Sequence, residues 1–146
     1  MSDGPLDCER IALGIRQPWA ELILRGIKTV EIRSTGTRLR GTIYVYASKK
    51  PADNSIAQAA ILEHELDLDS LPLGLLVGTV DLVESRPADE DDETAACVPA
   101  EYLDGRFAWQ LRSPSRLAVP VAPHFLPYGV WFYPFRRRNA DGANDS

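Results

Sequence analysis

The chain has 146 residues, of which 45% are hydrophobic and 25% charged, and its formal charge is −5 at pH 7. This length suits one compact domain with its own core, and the composition argues against disorder of the whole chain. No apolar run approaches the roughly 20 residues that span a bilayer. The first residues lack the basic and then apolar layout of a signal peptide, so we expect a cytoplasmic protein without a membrane partner.

Residues 1–9 are polar and are expected to form a flexible N-terminus. A short apolar run bounded by charges then predicts a strand over 10–16. Pro18 suits the first turn of a helix and Gly26 suits the position just past its end, so the two residues delimit a short helix. Trp19 lies on the apolar face of this helix, which predicts a place in the core.

Two more strands and a second helix follow. Alternation of apolar and polar residues predicts a strand over 29–33, and an apolar run predicts another over 42–47. Asp53 or Asn54 can cap a helix that continues to Leu66. The sequence does not decide between these two caps.

The second half of the chain is rich in strand-forming residues. Residues 75–85 predict a long strand, within which Gly78 indicates a bulge or a tight bend. An acidic loop is expected over 86–96. Strands are predicted over 107–112 and 130–135, joined by a proline-rich link.

The predicted elements form a single domain over 10–136, followed by a disordered tail at 137–146. Five or six strands and two helices occur without strict alternation of strand and helix. This order predicts an α+β fold, a small mixed β-barrel with two flanking helices, rather than a doubly wound sheet.

The negative charge is concentrated in one short segment. Residues 89–93 carry five carboxylates, whereas residues 25–50 hold seven cations and one anion. Arg136, Arg137 and Arg138 form a second cationic cluster. A positive field held on a folded frame attracts phosphates within a Debye length of about 8–10 Å. Net acidity therefore does not exclude a polyanionic ligand.

Cysteines and histidines are few and scattered. Cys8, Cys97, His64 and His124 are the whole set, and none has a partner at the spacing of a closed metal site. The same scarcity leaves no residues for Ser-His-Asp chemistry, and no glycine-rich phosphate loop is present. We therefore expect no metal and no other cofactor.

The most informative stretch runs over residues 26–33. Glu31 and Arg33 share one face of the predicted strand, and Lys28 stands at its entrance. Such a cluster forms either a ladder of surface ion pairs, each worth under ~1 kcal/mol, or the polar lining of a cleft. On spacing alone the surface ladder is the more common arrangement.

Five segments, in this order, resemble the ASCH domain family over about residues 10–135. They are Ile-Arg-Gln-Pro-Trp-Ala at 15–20, Gly-x-Lys-x-x-Glu-x-Arg at 26–33, Val-Gly-Thr-Val-Asp-Leu at 77–82, Phe-Ala-Trp-Gln-Leu at 107–111 and Gly-Val-Trp at 129–131. The resemblance implies a PUA-like fold, which is a small β-barrel with flanking helices and a cleft. It also implies an association with RNA binding or RNA modification.

The resemblance implies that six side chains line this cleft or stand beside it: Arg16, Gln17, Lys28, Glu31, Arg33 and Trp109. Lys28 and Arg33 could then neutralise phosphate or donate to a base, while Glu31 could accept from an exocyclic amine. An indole could stack on a base for about 1–3 kcal/mol. For Trp109 a place at least half in the core is expected, and Trp131 is assigned to the core.

The first hypothesis is a protein that binds RNA or a modified nucleotide through this cleft, in which Lys28→Ala would weaken binding and leave the fold intact. The alternative is a hydrolase with Lys28 and Glu31 as catalytic residues, either a ribonuclease or an acetylcytidine-type amidohydrolase. The resemblance counts against the amidohydrolase, because such relatives carry threonine where this chain has Glu31. A third hypothesis is a protein partner bound through the acidic loop.

Overall fold

A six-stranded sheet forms the centre of the computed structural model, which describes residues 6–136. In chain order its strands are β1 (Ala12–Ile15), β2 (Val30–Arg33), β3 (Gly41–Ala47), β4 (Leu75–Pro87), β5 (Phe107–Val121) and β6 (Trp131–Phe132). Across the sheet the order is β2-β5-β4-β3-β1-β6, with β1 and β3 parallel and the other neighbours antiparallel. The sheet curls into a half-barrel, which confirms the predicted α+β fold.

Helices pack around this sheet. The α-helices are α1 (Trp19–Leu24), α2 (Ser55–Glu63) and α3 (Glu93–Ala96), and single 3-10 turns occur at Leu68–Ser70, Glu90–Asp92 and Ala100–Leu103. The two predicted helices correspond to α1 and α2. Of the two candidate caps, Asn54 is the one used, because its side chain accepts a hydrogen bond from the backbone N–H of Ala57 at 2.8 Å. None of the helices within residues 6–136 is both long and apolar enough to cross a membrane.

The described part of the N-terminus is attached to the domain. Leu6 packs against a core cluster of the sheet. The Tyr44 hydroxyl accepts from the backbone N–H of Asp7 at 2.8 Å and donates to the backbone oxygen of Asp7 at 2.9 Å. Residues 6–9 therefore differ from the flexible segment that the sequence predicts. Residues 1–5 and the tail predicted to be disordered lie outside the described residues.

The first part of the proline-rich link predicted between residues 112 and 130 is instead a continuation of β5, whereas residues 122–130 connect β5 to β6. Strand β5 continues to Val121 and stays paired with β4 through three register shifts, two of which leave extra residues on β5. Pro114 lies in the first of these irregular stretches, beside Ser113, whose φ is 53°. Bulges tolerate proline because they need no N–H donor at every residue, which explains why prolines do not end this strand.

The acidic segment over 86–96 forms helical turns rather than an extended loop. The buried Asp92 carboxylate accepts from both terminal nitrogens of Arg86, at 2.7 and 2.8 Å. Asp89 and Asp92 also form a capping box at the start of the 3-10 turn. This pairing removes one of the five carboxylates from solvent and fixes the segment against the end of β4.

Helix α1 packs directly on the backbone of the sheet at Gly78. A Cβ atom at this position would lie 2.5 Å from the carbonyl oxygen of Ser115 and 2.6 Å from Cδ2 of Leu24. Pairing of β4 with β5 shifts register between Leu76 and Gly78, so the predicted bulge is present. The absence of a side chain therefore lets α1 approach the sheet and sets the position of the residues that follow it.

Candidate functional site

A cavity of about 550 Å³ opens between α1, β2, the segment before α2 and residues 127–130. Among the described residues, its charged lining consists of five cations and one carboxylate: Arg16, Lys28, Arg33, Lys50, Arg106 and Glu31. Its walls also include apolar side chains, among them Trp19, Ile32, Ile56, Val98 and Val130. A volume of roughly 300–1,000 Å³ with apolar walls and a few polar groups is typical of small-molecule sites.

The turn between α1 and β2 brings the predicted motif to this cavity. Gly26 has a φ of 76°, a conformation that glycine adopts without strain, and the backbone N–H groups of Ile27 and Lys28 both donate to the carbonyl oxygen of Leu22. The chain then enters β2, which pairs with β5 along one edge of the sheet. Glu31 and Arg33 lie on the same face of β2 because they are two residues apart.

Glu31 is the only carboxylate among the described residues that line the cavity. Its Oε2 accepts from Nε of Arg33 at 3.0 Å and from Nη2 of Arg33 at 2.7 Å, while its Oε1 lies 3.7 Å from Nζ of Lys28. Burial alone would raise the pKa of Glu31, but Arg33 and Lys28 together hold this pKa below its ordinary value. The carboxylate is therefore ionised at neutral pH.

Lys28 is the most deeply placed cation of the cluster, with only 2% of its side chain exposed. Its Nζ donates to the backbone oxygen of Ala96 at 2.5 Å and lies 5.0 Å from the ring centroid of Trp19. Burial lowers the pKa of Lys28, and the charge of Glu31 opposes that effect. These contacts engage the ammonium within the protein, so Lys28 positions Glu31 rather than reaching out to a phosphate.

Arg33 connects the carboxylate to the sheet. Besides its bonds to Glu31, its Nη2 donates to the carbonyl oxygen of Gly14 at 2.9 Å, and its Cζ lies 5.7 Å from the ring centroid of Trp109. Its Nη1 makes no hydrogen bond within the described part of the chain. The guanidinium is thus fixed on one side and keeps donors available at the cavity wall.

Trp109 and Trp19 both pack against the core, and of the two only Trp19 also lines the cavity. Trp109 is 3% exposed, stacks on Trp131 with ring centroids 5.8 Å apart, and donates from Nε1 to the backbone oxygen of Thr35 at 3.1 Å. It is not part of the cavity lining and supports Arg33 from the core. Trp19, predicted to be core, is half-buried and lines the cavity.

Gln17 and Arg16 are adjacent in sequence but differ in role. The Gln17 side chain is buried, accepts from the backbone N–H of Glu21 at 2.9 Å and donates to the backbone oxygen of Pro72 at 3.2 Å. It stabilises the start of α1 and does not line the cavity. Arg16 is exposed and does line it. The cavity therefore brings together four of the six predicted residues, while Gln17 and Trp109 support it from outside.

Two cations of the cavity are absent from the predicted set. Lys50 follows β3 and is exposed, and Arg106 precedes β5 with its Cζ 4.1 Å from the ring centroid of Tyr102. Lys50 belongs to the cationic stretch over 25–50, so local charge density was a signal for it. No local pattern indicates Arg106, because only the tertiary fold brings it to the cavity.

A second buried carboxylate anchors α1 to β5. Both oxygens of Glu21 accept from Arg116, each at 2.9 Å, and Oε2 also accepts from Nε of Arg25 at 2.7 Å. Burial would raise the pKa of Glu21, but the hydrogen bonds and charges of Arg116 and Arg25 lower this pKa below its ordinary value of 4.5. The pair holds the helix that carries Trp19 at the cavity.

Glu21→Gln is expected to make the stability of the protein less dependent on acid pH. Because the folded-state pKa of Glu21 lies below its unfolded value, the stability it contributes is present above about pH 4.5 and is lost as the pH falls through the folded-state pKa. Urea denaturation at a series of pH values from 7 to 3 should show a shallower decline in the variant. Glu101→Gln, at an exposed position, serves as the control, and a decline as steep in Glu21→Gln as in Glu101→Gln would contradict this role.

The comparisons with known proteins agree with this architecture. The family model described as the ASCH domain matches residues 13–120. Over 114 residues the chain is 32% identical to human Activating signal cointegrator 1 and 31% identical to the mouse protein of that name. Each match covers 73% of this chain and 19% of the relative, so the chain spans about a fifth of the length of these relatives.

A solved structure shows the same fold. The crystal structure of ASCH from Zymomonas mobilis has a TM-score of 0.58 and 17% sequence identity to this chain, and the match covers 87% of this chain and 88% of that one. The family match covers most of β1 to β5 and the described cavity lining except Pro127, Gly129 and Val130. The chain belongs to the ASCH domain family.

Proposed function

We propose that this protein binds RNA or a nucleotide in the cavity between α1 and β2. ASCH domains are generally RNA-binding. The observation that carries the proposal is the composition of the cavity, in which five cations, a single carboxylate and several apolar side chains of the described residues surround about 550 Å³. Cations complement phosphate, and apolar walls accommodate a base, so the two parts of a nucleotide each find a suitable surface.

Three of the cations are available at the opening of the cavity, and we call them the mouth cations: Arg16, Lys50 and Arg106. None of the three forms an ion pair with a carboxylate within residues 6–136. Arg16 and Lys50 are exposed, so they attract a phosphate without first breaking an internal contact. The protein as a whole is acidic, which disfavours broad non-specific binding and favours a compact site of few phosphates.

Binding to a single-stranded RNA octamer is expected to weaken with salt, with a slope of log K against log salt of about −2, since each neutralised phosphate of a single strand contributes roughly −0.7. Lys50→Ala and Arg106→Ala should each reduce the magnitude of this slope. The slope is measured by fluorescence anisotropy at KCl concentrations from about 50 to 200 mM, a range in which counterion release changes the affinity strongly.

Arg112→Ala is the matched control for these variants, because Arg112 is an exposed cation on β5 that does not line the cavity. It should leave both affinity and slope unchanged. Equal losses in Arg112→Ala and Lys50→Ala, or no binding of the wild-type protein to any RNA pool, would overturn the proposal.

Hydrolysis with Lys28 and Glu31 as catalytic residues is the alternative. A general base works best when its pKa lies near the working pH, whereas the pKa of Glu31 is held below its ordinary value. One oxygen of this carboxylate is also occupied by Arg33. Binding without turnover is therefore expected when the protein is incubated with RNA and with acetylcytidine; turnover that Glu31→Gln abolishes would favour the hydrolase instead. A cytoplasmic location and a protein partner at residues 86–96 stay predictions.

A further inference from the structure

We infer that the cavity takes one unpaired nucleobase inward, edge first, and keeps the phosphates at its mouth. This inference rests on the proposed function and specifies the ligand of the same site. It follows from where the charges lie along the cavity and from which polar atoms at its inner end are still free to bind. The inner end of the cavity, formed by the buried side chain of Glu31 and the half-buried side chain of Arg33, its walls and its mouth each restrict how a nucleotide can bind.

The inner end of the cavity disfavours a phosphate. The Glu31 side chain is only 8% exposed, and its carboxylate is ionised. The two neighbouring cations, Lys28 and Arg33, are already paired with this carboxylate, so a phosphate placed there would have to compete with Glu31 for both of them. Arg16 and Lys50 at the mouth are exposed cations and favour a phosphate there. The electrostatics therefore orient a nucleotide with its base inside.

The inner end offers one acceptor and one donor to the edge of a base. Oε2 of Glu31 already accepts twice from Arg33, whereas Oε1 lies 3.7 Å from the Lys28 ammonium, beyond hydrogen-bond distance. Nη1 of Arg33 is the unused donor of the fixed guanidinium in the described structure. Glu31 and Arg33 lie on the same strand face, so an N–H group and an adjacent acceptor on a base can bind to both.

Every nucleobase carries this combination on its Watson–Crick edge, where an N–H donor lies next to a ring nitrogen or a carbonyl acceptor. In a duplex the same edge is occupied by the opposite base. A base that binds to Glu31 and Arg33 must therefore be unpaired. Sequence preference should be weak, because all four bases meet the requirement.

The walls accept a planar ring. Trp19, Ile56, Val98 and Tyr102 all belong to the lining, and stacking or apolar contact with a base does not depend on its sequence. The Cζ atom of Arg106 lies 4.1 Å from the ring centroid of Tyr102, so a mouth cation lies next to a ring that would contact the base. Base and phosphate are thus accommodated by neighbouring residues.

The test compares three single-stranded octamers made of uridine, 3-methyluridine or 5-methyluridine, together with the duplex of the uridine octamer with its adenosine complement. Methylation at N3 removes the only N–H donor of the uracil edge, while the same methyl group at C5 leaves that edge intact. The four ligands are first compared on the wild-type protein, so the effect of N3 methylation does not depend on the folding of a variant, and the same ligands are then measured with Lys50→Ala. Affinities are measured by fluorescence anisotropy at a single salt concentration.

We expect the uridine and 5-methyluridine octamers to bind alike and the 3-methyluridine octamer and the duplex to bind about 10- to 100-fold more weakly, because the hydrogen bond from the base N–H to a charged acceptor is lost. Lys50→Ala should weaken all of the single strands by a similar factor. If N3 methylation has no effect but Lys50→Ala still weakens binding, the cavity binds phosphate alone and this inference is overturned while the proposed function stands. If no strand binds, or Lys50→Ala has no effect, the proposed function fails and the inference fails with it.

Discussion

Replacing Lys28 by alanine is expected to lower the free energy of unfolding by about 3 kcal/mol, because it breaks a buried ion pair and leaves a buried backbone acceptor without its donor. Lys28 is 2% exposed, donates to the backbone oxygen of Ala96 and lies 3.7 Å from Glu31. Urea denaturation at pH 7 measures the loss. From the sequence alone the same substitution is expected to leave the fold intact. Because the ammonium is buried in the structure, we expect a loss of stability instead.

Lys50→Ala is the control for this experiment, since Lys50 lines the same cavity but is exposed. Its stability should stay within about 0.5 kcal/mol of the wild type, as is usual for surface substitutions. RNA binding, compared at equal concentrations of folded protein, should show the opposite contrast: Lys50→Ala should have the smaller salt dependence and the lower affinity. A Lys28→Ala protein as stable as Lys50→Ala would contradict the positioning role assigned to Lys28.

Trp109→Ala is expected to be at least as destabilising, at about 3–5 kcal/mol, since it removes a large buried ring and leaves a cavity. The ring is stacked on Trp131, and its Nε1 donates to the backbone oxygen of Thr35. It also lies beneath Arg33, so the guanidinium loses its support when the ring is removed. Thermal and urea denaturation measure the loss of stability.

Trp109→Phe separates the volume of the ring from its hydrogen bond. Phenylalanine keeps most of the stacking on Trp131 and loses the bond to Thr35, so a smaller cost of about 1–2 kcal/mol is expected. If Trp109→Ala remained within about 1 kcal/mol of the wild type and lost only RNA binding, Trp109 would be a contact to the ligand and not part of the core.

The strand pattern of the sequence predicts much of this fold because its hydrophobic alternation is local. Residues 29–33 alternate as strands do, residues 42–47 form a short apolar run, and Gly26 marks the end of α1. The length of β5 could not be predicted in the same way, because proline usually ends a strand and Pro114 is tolerated only by a bulge that depends on pairing with β4.

The sequence predicts which residues form the centre of the site, but it does not predict how deeply they are buried. Spacing along β2 shows that Glu31 and Arg33 share a face, but it does not show which atoms remain free after they bind each other. It also does not show that Lys28 is buried, since burial depends on Ala96 and Trp19, which come from other elements. Residues such as these are placed by tertiary packing alone.

The sequence likewise does not show which of the two tryptophans near the site, Trp19 on α1 or Trp109 on β5, lines the cavity. Trp109 pairs across from Glu31 on β2, which places it near the site without exposing it to the cavity. Trp19 stands at the first turn of α1, where the helix meets the cavity wall. An apolar helix face can therefore serve the core along most of its length and a ligand site at its end.

The most direct test of a nucleotide site between α1 and β2 is an NMR titration of the ¹⁵N-labelled protein with the uridine octamer. We expect the largest shifts at the side-chain Nε–H of Arg33, the indole N–H of Trp19 and the backbone N–H of Gly129, all of which belong to residues that line the cavity. The backbone N–H of Arg112, on β5 outside the cavity, should not move. Shifts centred on the acidic segment over 86–96 or on Arg112, with the Arg33 signal unchanged, would contradict it.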